Sequence, residues 1–599
     1  RKVLAWDGRL DNREELICSI RLRGQTDTIP DSTIVAGAIE RWGDDACRHL
    51  LGDFAFACWD IAERRLILAT DHTGNRPILY HANSRQIAFA TSVSALLACP
   101  GVPREIDLTS LARVLTDAPP ASGSTMFREV RQVPAASYLV WSATGIAVNR
   151  YWSPDFSRRL RYSRDEDYVE QVRDLLDASV RCRLRAAGPI ACHLSGGFDS
   201  SAVAATAARV AAPASVYSVT AVAQEGAPVC PPSSRIFVDE WTHASAVAAM
   251  HPNLNAQIAP AAPPADEDPR LLFYFRGMPV RNFMNLSWFG AANQAVRDLG
   301  ARVLLVGTAG NLTLSWNGRR GLADLAASGR LWTLRRELRG LAREGLGRPW
   351  DSVRRDILPC IAPAALWRVR DRVRGSTAPA WETASAISAE LAVAANVEAI
   401  AAERTGRVNG LNYDSSLRIR YFEDMWLRPG NSLLRPYVGF ERWDPLADVR
   451  LIEFCLAIPP EQYLRNGVTR RLARRALADR VPPQVLRENR KGRQSPEWFH
   501  RLSWGRPRLE SVVERLPKSP LASYALDLRR MKAVLDQWPA HANSGQSKYG
   551  PLVLVLARGA NVGEFLEWVE NGCAAPPGIP EHSHVETETG DRRAVCPAL

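Results

Sequence analysis

The residues best suited to chemistry lie in Leu194-Ser195-Gly196-Gly197-Phe198-Asp199-Ser200-Ser201. Adjacent glycines let a backbone approach an anion closely, and a helix opening just after them supplies free N–H donors and positive potential. Ser195 and Ser200 add hydroxyl donors, and Asp199 offers a carboxylate that can hold a magnesium ion between phosphates. The segment has neither the Gly-Lys-Ser/Thr of a Walker loop nor G-x-G-x-x-G, so the phosphate chemistry it points to is of another kind. A plain glycine turn is the competing reading, and the strand–turn–helix context weighs against it.

That context must come from the surrounding chain. Residues 189–194 read as a short buried strand and 200–211 as an Ala/Val-rich helix. Helices are also expected at 169–185 and 238–250, and strands at 215–222 and 302–306. Strands alternating with helices predict a parallel α/β sheet. Residues 1–150 read differently, as short strands and turns with strands at 54–59, 65–69 and 86–90 and helices at 12–22 and 32–42. Arg150-Tyr151-Trp152-Ser153-Pro154 is a natural boundary. Beyond Arg319 the pattern is almost wholly helical to about 570, and 573–599 is aperiodic and expected to be disordered.

The whole chain has 599 residues, 46% hydrophobic and 23% charged, which excludes a disordered or fibrous protein. At ~150 residues per domain, two to four domains are expected. No run approaches ~18 apolar residues, so no membrane span is expected, and no charged-then-apolar leader follows Arg1, so secretion is not expected either. The 11 cysteines are scattered without a C-x-x-C pair, which signals neither a disulfide framework nor a zinc site and fits a reducing cytoplasm. The net charge of +12 is lopsided: residues 319–374 hold 14 Arg against 6 acids. Such a balance suits nucleic acid, an anionic membrane, or a phosphate-bearing or acidic substrate.

S-G-G-x-D-S resembles the pyrophosphate loop of the ATP pyrophosphatase superfamily, whose members activate a carboxylate or carbonyl as an adenylate. The resemblance extends over about residues 1–500 to the asparagine synthetase family, a glutaminase-type domain joined to a synthetase domain. Trp6-Asp7-Gly8-Arg9-Leu10-Asp11-Asn12 is similar to the family's N-G-E-x-Y-N stretch, and Asp31 stands at the aspartate of its D-[ST]-E motif. Leu51–Phe56 and Asp71–Pro77 resemble L-x-G-x-F-A-F and R-D-x-x-G-x-R-P-L. The implied fold is a glutaminase-like β-sandwich domain over 1–150, followed over 160–570 by a parallel α/β pyrophosphatase-type domain with a helical extension. Implied ligands are ATP and Mg2+.

The departures from the family pattern bear on function. The family's oxyanion-hole Asn is Asp7, which would repel a developing oxyanion and remove a contribution of roughly 3 kcal/mol. Its Glu is Arg9, a reversal of charge beside the glutamine pocket. The expectation is a domain that hydrolyses no glutamine, leaving the attacking amine to the substrate itself. The second signature, G-[ED]-G-x-D-E, reads Gly307-Thr308-Ala309-Gly310-Asn311-Leu312, so the metal-binding Asp is Asn311 and Asp199 should carry more of the metal site. E-x-R-x-P-[FL]-x-D aligns with Glu441–Asp448, Trp443 replacing the Arg. The resemblance makes Glu441 part of a dyad that deprotonates the amine. Tyr413 and Tyr421 are its candidate partners, with Tyr421 placed in the catalytic set. Lys491 stands at the family's catalytic Lys, which neutralises the adenylate phosphate.

Two branches of the family dispense with glutaminase activity, the β-lactam synthetases and the lasso peptide cyclases. Gly310–Gly318, Trp443–Asp448, Lys491–Ser495 and the Arg-rich stretch after Gly318 look like the cyclase branch. The implied reaction adenylates an Asp or Glu side chain of a leader-free precursor peptide, whose own α-amine closes a macrolactam with release of AMP and pyrophosphate. The implied partners are that core peptide, a leader peptidase and a leader-recognition protein, with no nucleic acid. A β-lactam synthetase-like or glutamine-hydrolysing asparagine synthetase ligase is the alternative.

Overall fold

In the strand Gly52–Asp60, Phe54, Phe56 and Cys58 alternate with Ala55 and Ala57, and both sets are buried, so the strand must be covered on two faces. The computed structural model, which describes residues 1–24, 28–83, 86–233, 236–262, 268–281, 283–362, 380–403, 408, 411–426, 431–539, 550–577 and 579, shows what covers them. Strand β2 (Gly52–Asp60) pairs antiparallel with β1 (Lys2–Leu10) and with β3 (Arg65–Thr70). With β7 (Ser137–Ser142) and β8 (Gly145–Arg150) they make a five-stranded sheet in the order β1-β2-β3-β7-β8. Phe54, Phe56 and Cys58 pack under the helices Arg13–Ile20 and Asp31–Trp42. Ala55 and Ala57 face Ile78, Val133 and Leu139 towards a second, three-stranded sheet of β4 (Leu79–Ala82), β5 (Ile87–Ala90) and β6 (Arg131–Gln132).

The second sheet system is parallel. Strands β9 (Ile190–His193), β10 (Val216–Val222), β12 (Leu254–Pro260), β13 (Val303–Leu305) and β14 (Glu441–Trp443) run in the order β12-β10-β9-β13-β14. Cys192, Leu194, Val303, Leu305 and Trp443 face the helices Asp165–Arg183 and Phe198–Ala211. Ala191, Leu304 and Val306 face the helix Leu286–Asp298 through Trp288, Ala292 and Val296. Both faces are covered, as a parallel sheet requires, and the expected mixed α/β architecture is present. A mainly helical core then joins residues 79–130 to the C-terminal helices: Leu96, Leu111 and Phe127 pack with Leu516, Phe565 and Trp568.

Two short strands lie inside the stretch read as wholly helical. One is β14; the other, β15 (Lys491–Gly492), pairs with β11 (Ile236–Phe237). At two or three residues neither can show a period-2 pattern. The helix read from 200 begins at Phe198, because Gly197 is its extended cap. Residues 363–379 of the Arg-rich stretch, and the tail from 580, lie outside the described residues. Among the described residues no helix is long and apolar enough to cross a membrane.

Candidate active site

Strand β9 leads straight into the loop, and Gly196 takes φ +68° there. A Cβ on Gly196 would collide with the Cβ of His243 and stand 3.2 Å from the Glu240 carbonyl oxygen. Only glycine fits both conditions. Gly196→Ala should therefore disorder the loop and reduce ATP binding at least tenfold in a calorimetric titration; unchanged binding would mean the loop holds no phosphate. The Ser195 N–H donates to Ser200 Oγ at 3.0 Å, and the Ser195 and Ser200 hydroxyls lie 3.0 Å apart. Ser200 also bonds the Gly197 carbonyl at 3.3 Å, which ties the loop to its own helix.

Asp199 sits one residue inside that helix, against the second glycine segment. A Cβ on Gly310 would collide with its carboxylate, and one on Gly307 would stand 2.8 Å from its backbone carbon. Oδ1 of Asp199 is buried without a hydrogen-bond partner, as expected of an oxygen left for a cation. Burial raises Asp199 to about 6, against the Ser315 hydroxyl and the Arg470 guanidinium. Asp444 is its neighbour across the loop. Its carboxylate accepts from Ala309 N–H at 2.7 Å and Leu446 N–H at 2.9 Å, and burial raises it to about 7 with Asp199 adding to the rise. Asn311, by contrast, is exposed and makes no hydrogen bond among the described residues.

Three cations surround the loop. Arg470 and Arg474 stand 5.5 and 5.3 Å over the ring of Phe198. Arg474 is anchored by Thr469, Leu486 and Asn489. Arg470 has a buried Nε without a partner and forms no ion pair among the described residues, so its charge is available to a phosphate. Lys491 lies on β15, exposed, with no ion pair among the described residues. Gly492 beside it packs on Glu240, the residue whose carbonyl backs Gly196. The structure thus gathers Leu194, Ser195, Gly196, Gly197, Asp199, Ser200 and Gly307 at one place, with Lys491 on an adjoining ribbon. Arg470 and Asp444 were not singled out from the sequence. Arg470 hides in the run Arg470–Arg475, and Asp444 occupies a variable position of its motif.

Glu441 has a different setting. It pairs with Val303, which pairs with Ile190, so it stands level with a residue five before Ser195, about 16 Å down the sheet at ~3.3 Å per residue. Arg76 Nη2 meets its carboxylate at 2.7 Å and Arg435 Nη1 at 3.1 Å. Both arginines also reach Asp7, at 3.1 and 3.5 Å, so Asp7 joins an ionic clamp between the two sheet systems. Tyr421 is 46% exposed on the helix Tyr413–Trp426 and forms no hydrogen bond with Glu441; Tyr413 donates its backbone N–H to Asp324.

The segments that resemble the family's glutamine-domain motifs are tied up in arginine–carboxylate pairs. Arg9 is buried between Asp11 and Asp53 and lies 4.8 Å over the Trp443 ring. Asp31 is bound by Arg13 and Arg185. Asp11, Cys182 and Asp448 come together nearby, but Arg9, Arg183 and Arg450 neutralise the two acids, and burial holds the Cys182 thiol up at about 11. The Arg-rich stretch abuts the wall carrying Arg470: Gly340 packs on Asn466 and Gly467, and Asn489 donates to the Glu344 carbonyl at 3.3 Å.

A layered antiparallel domain packed on a parallel sheet with this loop defines a two-part, amidotransferase-type class of protein. Residues 171–569 match the family described as Asparagine synthase, and residues 1–152 match the Glutamine amidotransferase domain. The first match covers well over half of the chain, and the protein belongs to the asparagine synthase family. "Asparagine synthetase [glutamine-hydrolyzing] 3" of Bacillus subtilis (strain 168) is 31% identical over 208 residues, 34% of this chain and 34% of that protein. "Amidase chry2" of Gibberella zeae is 33% identical over 179 residues, 29% of this chain and 26% of that one. The chain thus matches about a third or less of the length of these relatives. A solved glutamine phosphoribosylpyrophosphate amidotransferase of B. subtilis aligns with 51% of this chain and 71% of its own at 14% identity and a TM-score of 0.19, too slight a likeness to bear on the fold.

Proposed function

We propose that the protein is an ATP-dependent, AMP-forming amide ligase, and within that class a lasso peptide cyclase. The observation that carries the reading is an asymmetry between its two halves. The phosphate loop is complete, with a buried free oxygen on Asp199 and an unpaired Arg470 beside it. The glutamine side is occupied by Arg9, Arg13 and Arg185, each paired with an acid. An enzyme that can activate a carboxylate but has closed its nitrogen supply needs a substrate that brings its own amine.

In this reading an Asp or Glu side-chain carboxylate of the core peptide attacks the α-phosphorus of ATP, and pyrophosphate leaves. The peptide's α-amine then attacks the acyl carbon, AMP leaves, and the amine proton passes to a base. Ser195, Gly196, Gly197 and Ser200 hold the leaving pyrophosphate, with Lys491 and Arg470 balancing its charge. Asp199 would hold the magnesium ion, with Asn311 the second candidate; when bound, the ion neutralises phosphate oxygens. Glu441, the carboxylate the resemblance offers for the amine proton, stands about 16 Å down the sheet from Ser195 and is held by Arg76 and Arg435, so the base is sought nearer the loop. A leader peptidase and a leader-recognition protein would deliver the peptide.

The test is the full chain with ATP, Mg2+, a precursor peptide encoded beside its gene and the matching leader peptidase. Mass spectrometry should find the core peptide lighter by one water, with AMP and pyrophosphate formed in equal amounts. ADP in place of AMP would overturn the ligase mechanism. Glutamate released from glutamine, with an asparagine product, would replace the cyclase reading by the asparagine synthetase one.

A further inference from the structure

Two basic side chains on the second face of the parallel sheet have no counterpart in this scheme. His193 ends β9, one residue before Leu194, and Arg442 is the middle residue of β14. Arg442 pairs with Leu304 and Leu304 with Ala191, so Arg442, Ala191 and His193 share the face covered by the helix Leu286–Asp298. That face is opposite the phosphate-loop helix. Both side chains converge on Phe289 of the covering helix, the Arg442 guanidinium 5.9 Å and the His193 ring 6.4 Å from its ring.

Among the described residues neither has a hydrogen-bond or ion-pair partner. Arg442 forms no ion pair or hydrogen bond among the described residues, and its Nε is buried and unpaired. The acid that acts on it is Asp444, whose oxygens are already bonded to Ala309 and Leu446 N–H groups. Burial lowers His193 to about 4 with Arg442 pushing the same way, and burial lowers Arg442 as well. The Arg442 Nε is buried without a partner while the residue as a whole is only half-buried, so an incoming anion can reach the guanidinium and complete its bonding.

We infer that His193 and Arg442 form an anion-binding site that receives a carboxylate of the acyl substrate. A carboxylate suits it better than a phosphate. The groups that answer the triphosphate, Asp199, Arg470 and Arg474, stand on the other face around Phe198. The hydrophobic residues on the His193 face include Val306, Trp288 and Ala292. His193 directly precedes the loop, so a carboxylate held there lies at the edge of the nucleotide site. The substrate half of this inference rests on the ligase reading; the anion site does not.

The experiment is carbon-detected NMR of the full chain labelled at histidine Cε1, with His193→Gln assigning the signal, and needs no turnover. Glutarate should shift the His193 resonance saturably, and Arg442→Met should weaken that binding about tenfold or more, as loss of a charge-assisted bond does. Ligand-free Arg442→Met should melt no lower than the wild type, because no ion pair or hydrogen bond among the described residues is lost; a purely structural arginine would melt lower. Arg442→Lys should keep most of the glutarate response. A His193 signal unmoved by glutarate, glutarate affinity unchanged in Arg442→Met, or a response to inorganic pyrophosphate alone would each overturn the carboxylate site. If no peptide is ever ligated but glutarate still moves His193, the ligase reading falls and the site stands.

Discussion

Asp199→Asn should reduce AMP formation in the peptide assay at least 100-fold and yet raise the melting temperature of the ligand-free protein at pH 8. The first effect follows from the role of the carboxylate: it is the one acid inside the loop, its Oδ1 has no hydrogen-bond partner, and an amide would not supply the negative charge that would hold a magnesium ion there. The second follows from its burial. The group's ordinary value is 3.8 and in the fold it rises to about 6. The native state therefore binds more protons than the unfolded chain between about pH 4 and 6, and stability falls as pH rises through that window. At pH 8 the charge is fully present and costs on the order of 3 kcal/mol, at 1.36 kcal/mol per pKa unit. The gain from Asn should therefore be largest at pH 8, about halved at pH 5, and close towards pH 4. Differential scanning fluorimetry across that range, with the AMP assay at pH 8, checks both halves. A variant that melts lower at every pH would mean Asp199 is a structural acid.

The loop and its strands were legible because each carries a local signal. Glycine at 196 is demanded by a positive φ and a neighbouring side chain, and the buried run 190–194 precedes a helix-opening Phe. Periodicity worked for the same reason at Gly52–Asp60 and Phe198–Ala211, where six or more residues share a pattern. It failed at β14, where three residues lie inside a helical stretch. There the placement of Glu441, Arg442 and Asp444 depends on pairing with β13, more than 130 residues away in sequence. The clamp on Glu441 was illegible for a related reason. Asp7, Arg76 and Arg435 come from three distant segments, and a charge on one says nothing about which charges meet it.

The same limit explains Asn311 and Asp444. Motif comparison registers the loss of an acid at 311 but does not show that another acid, at 444, bonds the backbone of the same loop through Ala309. Long-range hydrogen bonds of this kind decide which groups surround a site, and they are fixed by sheet topology, not by spacing along the chain.

Arg9 gives the last large effect, and it tests whether a glutamine site persists behind a single substitution. Arg9→Glu restores the residue type of the family motif at that position. Here it would place a carboxylate between Asp11, 2% exposed in its side chain, and Asp53, 11% exposed, and remove the guanidinium from over Trp443. Breaking a buried pair by removing one partner costs about 3–5 kcal/mol, and adding a like charge costs more. Burial pushes Asp53 up, but Arg9, Arg183 and Arg76 together hold it below its ordinary value. A depressed carboxyl contributes stability above its unfolded pKa and loses it as pH falls through the folded one. Arg9→Met should therefore be least stable relative to wild type at pH 7–8, with the deficit shrinking below about pH 4 as the acids protonate. Arg9→Glu should melt lower still and should not hydrolyse glutamine, because Asp31 remains bound by Arg13 and Arg185 and Asp7 by Arg76 and Arg435. Thermal melts of both variants, and glutamate release from glutamine, decide the matter. An Arg9→Glu protein that is as stable as the wild type and releases glutamate would show that a glutamine site survives beneath one substitution, and that the closed nitrogen supply on which the cyclase reading depends is open.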